Sequence, residues 1–169
     1  MSESNHISQL LLPELESELA ITRRILAAVP DGQSDYKCHD KSMKLAGLAG
    51  HTAELPMFSA LILTAPPMDL AVHSDTPKHK FESTAQNLAA FDAMAEKALA
   101  AMKGISDATF AEPWSLVYGD YKIFSGDRYN AYRDFGINHL IHHRAQLGVY
   151  LRLLDVPLPK TYGPSADEQ

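Results

Sequence analysis

Two histidines near the carboxyl end of the chain have the spacing of a metal-binding pair. His139 and His143 are four positions apart. On an α-helix this spacing places two side chains one turn from each other and about 40° apart, so both rings leave the same face. Imidazole is a common ligand of divalent transition metals. A helix that carries this pair could therefore supply two ligands of a metal site.

The surrounding residues predict that this segment is helical and that the pair faces inward. Leucines recur at three- and four-residue steps at positions 140, 147, 151 and 154 and form one apolar stripe. The two rings border this stripe. His142 lies about 100° from His143 around the helix, so we expect it to be solvated. The segment lacks the glutamate of the H-E-x-x-H zinc-protease motif, which removes that interpretation.

A different interpretation is that these histidines are ordinary core or surface residues. A single histidine on an apolar face is commonly satisfied by one hydrogen bond. Several imidazoles buried without partners would be costly. The clustering therefore favours a ligand role for His139 and His143.

The composition predicts a single globular domain, residues 1–169. Hydrophobic residues make up 46% of the chain and the formal net charge is -6, without a lysine and arginine cluster. Nucleic acid and anionic membranes are therefore not expected partners. The single cysteine, Cys38, excludes an internal disulfide and suits a reducing compartment. The amino terminus does not resemble a signal peptide, so a cytoplasmic location is expected.

Apolar periodicity predicts four long helices. They cover residues 4–29, 41–65, 81–103 and 128–155, with Ser42 as a cap of the second and Gly104 as the cap of the third. Between them, residues 66–80 read as a loop in which His73 and His79 are exposed. A tail from residue 160 lacks periodicity and is expected to be extended or partly mobile.

Two short β-rich runs around Gly119 and Asp120 predict a hairpin between helices three and four. No strand is long enough for a larger sheet. The fold prediction is therefore all-α: a four-helix bundle with a small β-hairpin.

His51 is the predicted third ligand. It lies on the core line of the second helix, which also contains Leu48, Leu55, Phe58 and Ile62. In a bundle it would meet the pair on the fourth helix. Three imidazoles leave positions open, as in catalytic metal sites. The alternative is a core histidine bonded to a backbone carbonyl, such as that of Thr52, which Pro56 leaves free.

Several segments resemble the DinB family of damage-inducible, metal-dependent bundle proteins. They read LAGH at 48–51, NHLIHHRAQLGVYLR at 138–152, VPLP at 156–159 and YGPSAD at 162–167. The resemblance covers essentially the whole chain, with Ala145 in place of the glycine common in the family. It implies a four-helix bundle, a homodimer, and a divalent ion held by His51, His139 and His143. Nickel or zinc is the expected ion, although three histidines do not identify the metal.

The resemblance implies chemistry without defining a reaction. Related families include bacillithiol transferases and mycothiol-dependent maleylpyruvate isomerases, so a low-molecular-weight thiol is an expected cofactor and a small molecule the expected substrate. A metal would lower the pKa of the thiol, which then attacks an electrophile. Alternatives are a metal-dependent hydrolase and a non-enzymatic, stress-related metal-binding dimer. Arg144 could hold the thiol's carboxylate, but an ion pair on the outer face is the preferred prediction.

The hairpin offers a surface for dimerisation. Tyr118, Tyr121, Ile123 and Phe124 give it more apolar surface than it can cover itself, which predicts docking on a second subunit. The alternative is that the hairpin covers the open end of its own bundle near the metal.

Overall fold

The computed structural model describes residues 6–72 and 79–168. Four long helical segments form its body. They are α1 (His6–Ala27), α2 (Leu45–Thr64), α3 (Thr84–Lys103) and a fourth segment that runs from residue 128 to 153. Each predicted long helix is present. Among the described residues, none of the helices has both the length and the apolar character needed to cross a membrane.

The helices surround one apolar core. α3 packs against α1 and α2, and the fourth segment also packs against both of them. α1 and α2 barely touch, so these consecutive helices lie diagonally across the bundle. Their connection, residues 28–44, must therefore cross the end of the bundle. The core contains large buried side chains from every helix: Leu15, Leu26, Leu48, Leu55, Ile62, Phe91, Met102, Leu147 and Leu151.

A three-stranded sheet lies beside the bundle. A short helix, α4 (Asp107–Phe110), leads into β2 (Pro113–Tyr118) and β3 (Tyr121–Asp127), which pair antiparallel. Gly119 has φ +55° in the connecting turn, a conformation that glycine adopts without strain. The unpredicted β1 (Met68–Asp69) pairs in parallel with β2. The prediction of a small hairpin thus omitted the third strand of this sheet.

The fourth helical segment is not α-helical throughout. It begins as α5 (Arg128–Ala131), continues as a π-helical segment (Tyr132–Asn138), and ends as α6 (His139–Leu153). A π-helix is wider than an α-helix and changes the direction of the side chains that follow it. The residue that follows here is His139.

The starts of two helices differ from the sequence prediction. α2 begins at Leu45 with Lys44 as its N-cap, so Ser42 is not a cap. α3 begins at Thr84 because Ser83 caps it, while Gly104 ends it as predicted. In both cases the last residues of the preceding loop were assigned to the helix.

The carboxyl-terminal tail was predicted to be extended or partly mobile, but it folds back onto the bundle. Arg152 of α6 pairs with Asp167, whose carboxylate also accepts from the Leu158 backbone N–H. The Tyr162 hydroxyl donates to Glu18 of α1. Polar side chains without periodicity thus hold the tail in place.

Candidate metal centre

The three predicted ligands converge between α2 and α6. His51 Nε2 lies 3.5 Å from His139 Nε2, and His139 Nε2 lies 2.9 Å from His143 Nε2. The three donor atoms all lie within 4.8 Å of one another. His139 and His143 share a face of α6, as their four-residue spacing predicts. His51 approaches them from α2, which packs directly on α6.

These separations fit a divalent cation. A four-coordinate ion with metal–nitrogen distances of about 2.0–2.1 Å has neighbouring donor nitrogens about 3.4 Å apart. The two measured nitrogen–nitrogen distances, 3.5 and 2.9 Å, bracket this value. All three rings are half-buried, so one side of the cluster is open. The donor set therefore suits a metal with at least one free coordination position.

Gln146 orients the His143 ring. Its Oε1 lies 2.8 Å from His143 Nδ1. Since a carbonyl oxygen can only accept, Nδ1 carries the proton and donates it. In the neutral ring the Nε2 lone pair is then free and aimed at the cluster. A hydrogen bond of this kind is the usual support of a metal-binding histidine.

The surroundings of the cluster favour the neutral rings that bind metals. Burial is the main cause that lowers the pKa of His139, with the nearby His143 and His142 adding to it. Burial also lowers the pKa of His143, partly offset by the bond to Gln146. The backbone of Phe135 partly offsets this lowering of the His139 pKa. His139 Nδ1 is buried and has no hydrogen-bond partner of normal length and angle among the described residues.

A cavity of about 400 Å³ adjoins the cluster. It lies between the α1–α2 connection and α6, and His143 and Gln146 form part of its wall. Tyr150 of α6 binds this connection at two points. Its hydroxyl donates to the Met43 carbonyl at 2.8 Å, and its ring packs edge-to-face against Tyr36. The other lining residues are Cys38, Lys41, Ser42, Met43, Leu48 and Val149.

Arg144 does not lie on the outer face, so that prediction was wrong. Its side chain is 3% exposed and forms an ion pair with the 8% exposed Glu18 of α1. It also donates to Thr22 Oγ1 and to the Tyr162 hydroxyl. The guanidinium therefore joins α6, α1 and the tail on the side of α6 away from the cavity. It does not hold a ligand's carboxylate in this arrangement.

His79 was predicted to be exposed but is half-buried. Its Nε2 lies 2.8 Å from Oδ1 of the buried Asn87, and its backbone N–H donates to Glu54. Glu54 is therefore engaged with the loop that precedes α3 rather than with the cluster. His73 lies outside the described residues, and His142 is exposed as predicted.

Sequence reasoning missed Gln146 and Tyr150. Gln146 follows His143 by three positions, a spacing at which helical side chains touch, and this could have indicated its role. Tyr150 binds a loop that is distant in sequence, and no local pattern indicates such a contact.

Long packed helices with three convergent imidazoles define a candidate metal-binding helical protein. The model of the DinB family matches residues 1–169, so the chain belongs to the DinB family. Comparison with curated proteins found no match.

Three solved structures share the fold at low sequence identity. A DinB-like protein from Bacillus subtilis, YjoA, has a TM-score of 0.67 at 15% identity, covering 95% of this chain and 99% of its own. A DinB-like protein from Bacillus cereus has a TM-score of 0.67 at 17% identity, with 90% and 95% covered. YfiT from Bacillus subtilis has a TM-score of 0.65 at 21% identity, with 92% and 91% covered. YfiT is described as a probable metal-dependent hydrolase with an unusual four-helix bundle topology.

Proposed function

We propose that this protein is a divalent-metal-dependent enzyme that acts on a small molecule. The cation is held by His51, His139 and His143, and the substrate occupies the adjoining cavity. The observation that carries the proposal is the convergence of three Nε2 atoms beside a cavity of about 400 Å³. Zn²⁺ and Ni²⁺ are the proposed ions, because imidazole suits both.

The chain's own residues prepare the site for this chemistry. Burial keeps His139 and His143 neutral at pH 7, and Gln146 holds the His143 ring in the tautomer that presents Nε2. Leu48 and Val149 give the cavity apolar walls. A divalent cation supplies Lewis acidity, which makes a thiol or a water molecule acidic at neutral pH.

Thiol transfer is the first proposed reaction. A small thiol loses its S–H proton, and the sulfur forms a bond to an electrophilic carbon of the second substrate. The bond from that carbon to its leaving group breaks, and the leaving group departs with the electron pair and takes up a proton. Among the described residues, no carboxylate lines this cavity, whereas Asp134 lines a second cavity beside His139. A thiol is a suitable nucleophile in the first cavity, because it ionises readily without a strong base.

Hydrolysis is the second candidate, and the description of YfiT favours it. Water would replace the thiol as the nucleophile in the same cavity. The lining residues are compatible with both reactions, so substrate assays must separate them.

The first experiment measures metal content. Purified protein should contain about one Zn²⁺ or Ni²⁺ per chain by elemental analysis, and His51→Ala should lose it. His142→Ala is the matched control, because His142 is exposed and lies outside the convergent set. A folded His51→Ala variant that retains the metal would overturn the proposed site.

The second experiment measures turnover. Metal-loaded protein is assayed with a panel of cellular thiols and an electrophile, and in parallel with ester and amide substrates. Thiol conjugation that is lost in His51→Ala supports the transferase, and hydrolysis that is lost in the same variant supports the hydrolase. A metal-loaded protein that turns over neither panel would be a binding protein rather than an enzyme.

A further inference from the structure

The charge around the cavity is one-sided. Lys41 is the charged residue of its lining, and among the described residues no aspartate or glutamate joins it. Of the acidic residues in the same connection, Asp35 is paired with Lys44 and Asp40 does not line the cavity. Lys41 has no ion-pair partner among the described residues. Within the lining itself, the positive charge of Lys41 is therefore not offset by a carboxylate.

The cavity wall also contains neutral polar groups that bear on the binding of an acidic ligand. The Ser42 hydroxyl accepts from the Cys38 thiol at 3.5 Å, which leaves its own proton available to donate. The Tyr150 hydroxyl directs its proton to the Met43 carbonyl. An acidic group that enters the cavity thus meets an ammonium and a hydroxyl donor, in a wall that also contains the apolar Leu48 and Val149 and the imidazole of His143.

The backbone at the start of α2 does not form a phosphate site. Free N–H groups at a helix N-terminus bind phosphate. Here the Leu45 N–H donates to the Tyr36 carbonyl at 2.8 Å, and the Ala46 N–H donates to the Ser34 carbonyl at 3.1 Å. These donors are occupied, and a single ammonium matches a monoanion.

We propose that the cavity binds a small molecule with a carboxylate, which Lys41 holds while the reacting end of the molecule reaches the three-histidine cluster. This rests on the proposed function for the identity of the cluster. It assigns Lys41 as the residue that selects acidic substrates. The proposed carboxylate site therefore lies in the α1–α2 connection. Arg144, for which this role was considered from the sequence, is buried on the other side of α6.

Cys38 provides a probe of the cavity's charge that needs neither metal nor substrate. It is exposed, lines the cavity, and is the single cysteine of the chain. Hydrogen bonding with Ser42 is the main cause that lowers its pKa, which raises the fraction of thiolate, the form that reacts with thiol reagents. Its labelling rates with an anionic (2-sulfonatoethyl) and a cationic (2-trimethylammonioethyl) methanethiosulfonate are measured and normalised to free N-acetylcysteine.

The anionic reagent should react faster with the protein, relative to N-acetylcysteine, than the cationic one. Lys41→Glu should lower the anionic-to-cationic rate ratio about fourfold at 0.15 M salt and about tenfold at 0.01 M, for charges roughly 8 Å apart. Lys97→Glu makes the same change of charge on an exposed part of α3 and should leave the ratio nearly unchanged. A preference of the wild-type protein for the cationic reagent would overturn the proposal.

Direct binding tests the ligand class. Zn²⁺-loaded protein is titrated calorimetrically with 3-mercaptopropionate and with 3-mercaptopropanol, which lacks the carboxylate. The acid should bind at least about threefold tighter, and Lys41→Met should remove the difference. Equal affinities in the wild-type protein would refute the role of Lys41. If neither thiol binds, thiol transfer fails as a function, and the sign of the Cys38 labelling preference alone decides the charge proposal.

Discussion

Gly136 allows the π-helical segment to pack closely against α2. A Cβ atom built at this position would lie 2.8 Å from Ser59 Oγ and 3.2 Å from Cδ2 of Tyr132. Both neighbours are buried, at 1% and 0% exposure, so the interior offers little space into which they could move. We predict that Gly136→Ala destabilises the protein.

The magnitude follows from two opposing effects. Non-bonded heavy atoms prefer separations of about 3.5 Å, so Ser59 Oγ and the new methyl group must separate by roughly 0.7 Å. Overpacking of this kind costs about 1–3 kcal/mol. Alanine's better helix propensity offsets up to about 1 kcal/mol. The free energy of unfolding of Gly136→Ala should therefore fall by about 1–2 kcal/mol.

Urea denaturation of matched variants measures this effect. Gly148→Ala is the control, because a Cβ there meets nothing within 4 Å, and it should stabilise the protein by up to about 1 kcal/mol. Ser59→Ala removes the hydroxyl and should recover part of the loss in the double variant. If Gly136→Ala is as stable as Gly148→Ala, the close contact does not constrain the bundle and the reasoning is refuted.

Three further predictions concern pH, the buried ion pair and assembly. Burial lowers the pKa of His139 and His143 below 6.5, so these rings bind fewer protons in the folded protein than in the unfolded chain. The metal-free protein should therefore lose stability as the pH falls from about 7.5 to 5.5. A free energy of unfolding that does not change with pH would contradict this. Arg144→Met leaves the buried Glu18 carboxylate without its ion-pair partner and should cost about 3–5 kcal/mol in thermal or urea unfolding, most of which Arg144→Met combined with Glu18→Leu should restore. We also propose that the exposed hairpin docks on a second copy of the chain: light scattering should show a dimer that Tyr121→Glu dissociates, and a wild-type monomer at micromolar concentration would exclude it.

Periodicity and residue type were sufficient to predict the helices and the candidate ligands. The leucine steps beside His139 and His143 locate α6, because a helix buries one stripe. His51 was identified because a polar residue interrupts an apolar core line. Both inferences use local spacing, which a helix converts directly into direction. The metal, its identity, the thiol and the cytoplasmic location stay predictions.

The remaining features depend on contacts between distant segments. The Arg144–Glu18 pair links α6 to α1, and sequence spacing cannot show that a guanidinium will meet a carboxylate 126 positions away. Tyr162 joins the same network from a segment without periodicity. The short β1 strand exists because β2 offers it an edge. Each is a product of tertiary packing, which overrides local preference.

Because α1 and α2 lie diagonally, the candidate metal ligands and much of the cavity wall come from different parts of the chain. The three imidazoles lie on helices in which every turn packs against the core. Much of the cavity wall, in contrast, comes from the α1–α2 connection. Substitutions in such a connection are tolerated far better than substitutions in a packed interior. We therefore predict that related chains bind different small molecules through substitutions at residues 33–44, while the three histidines are retained.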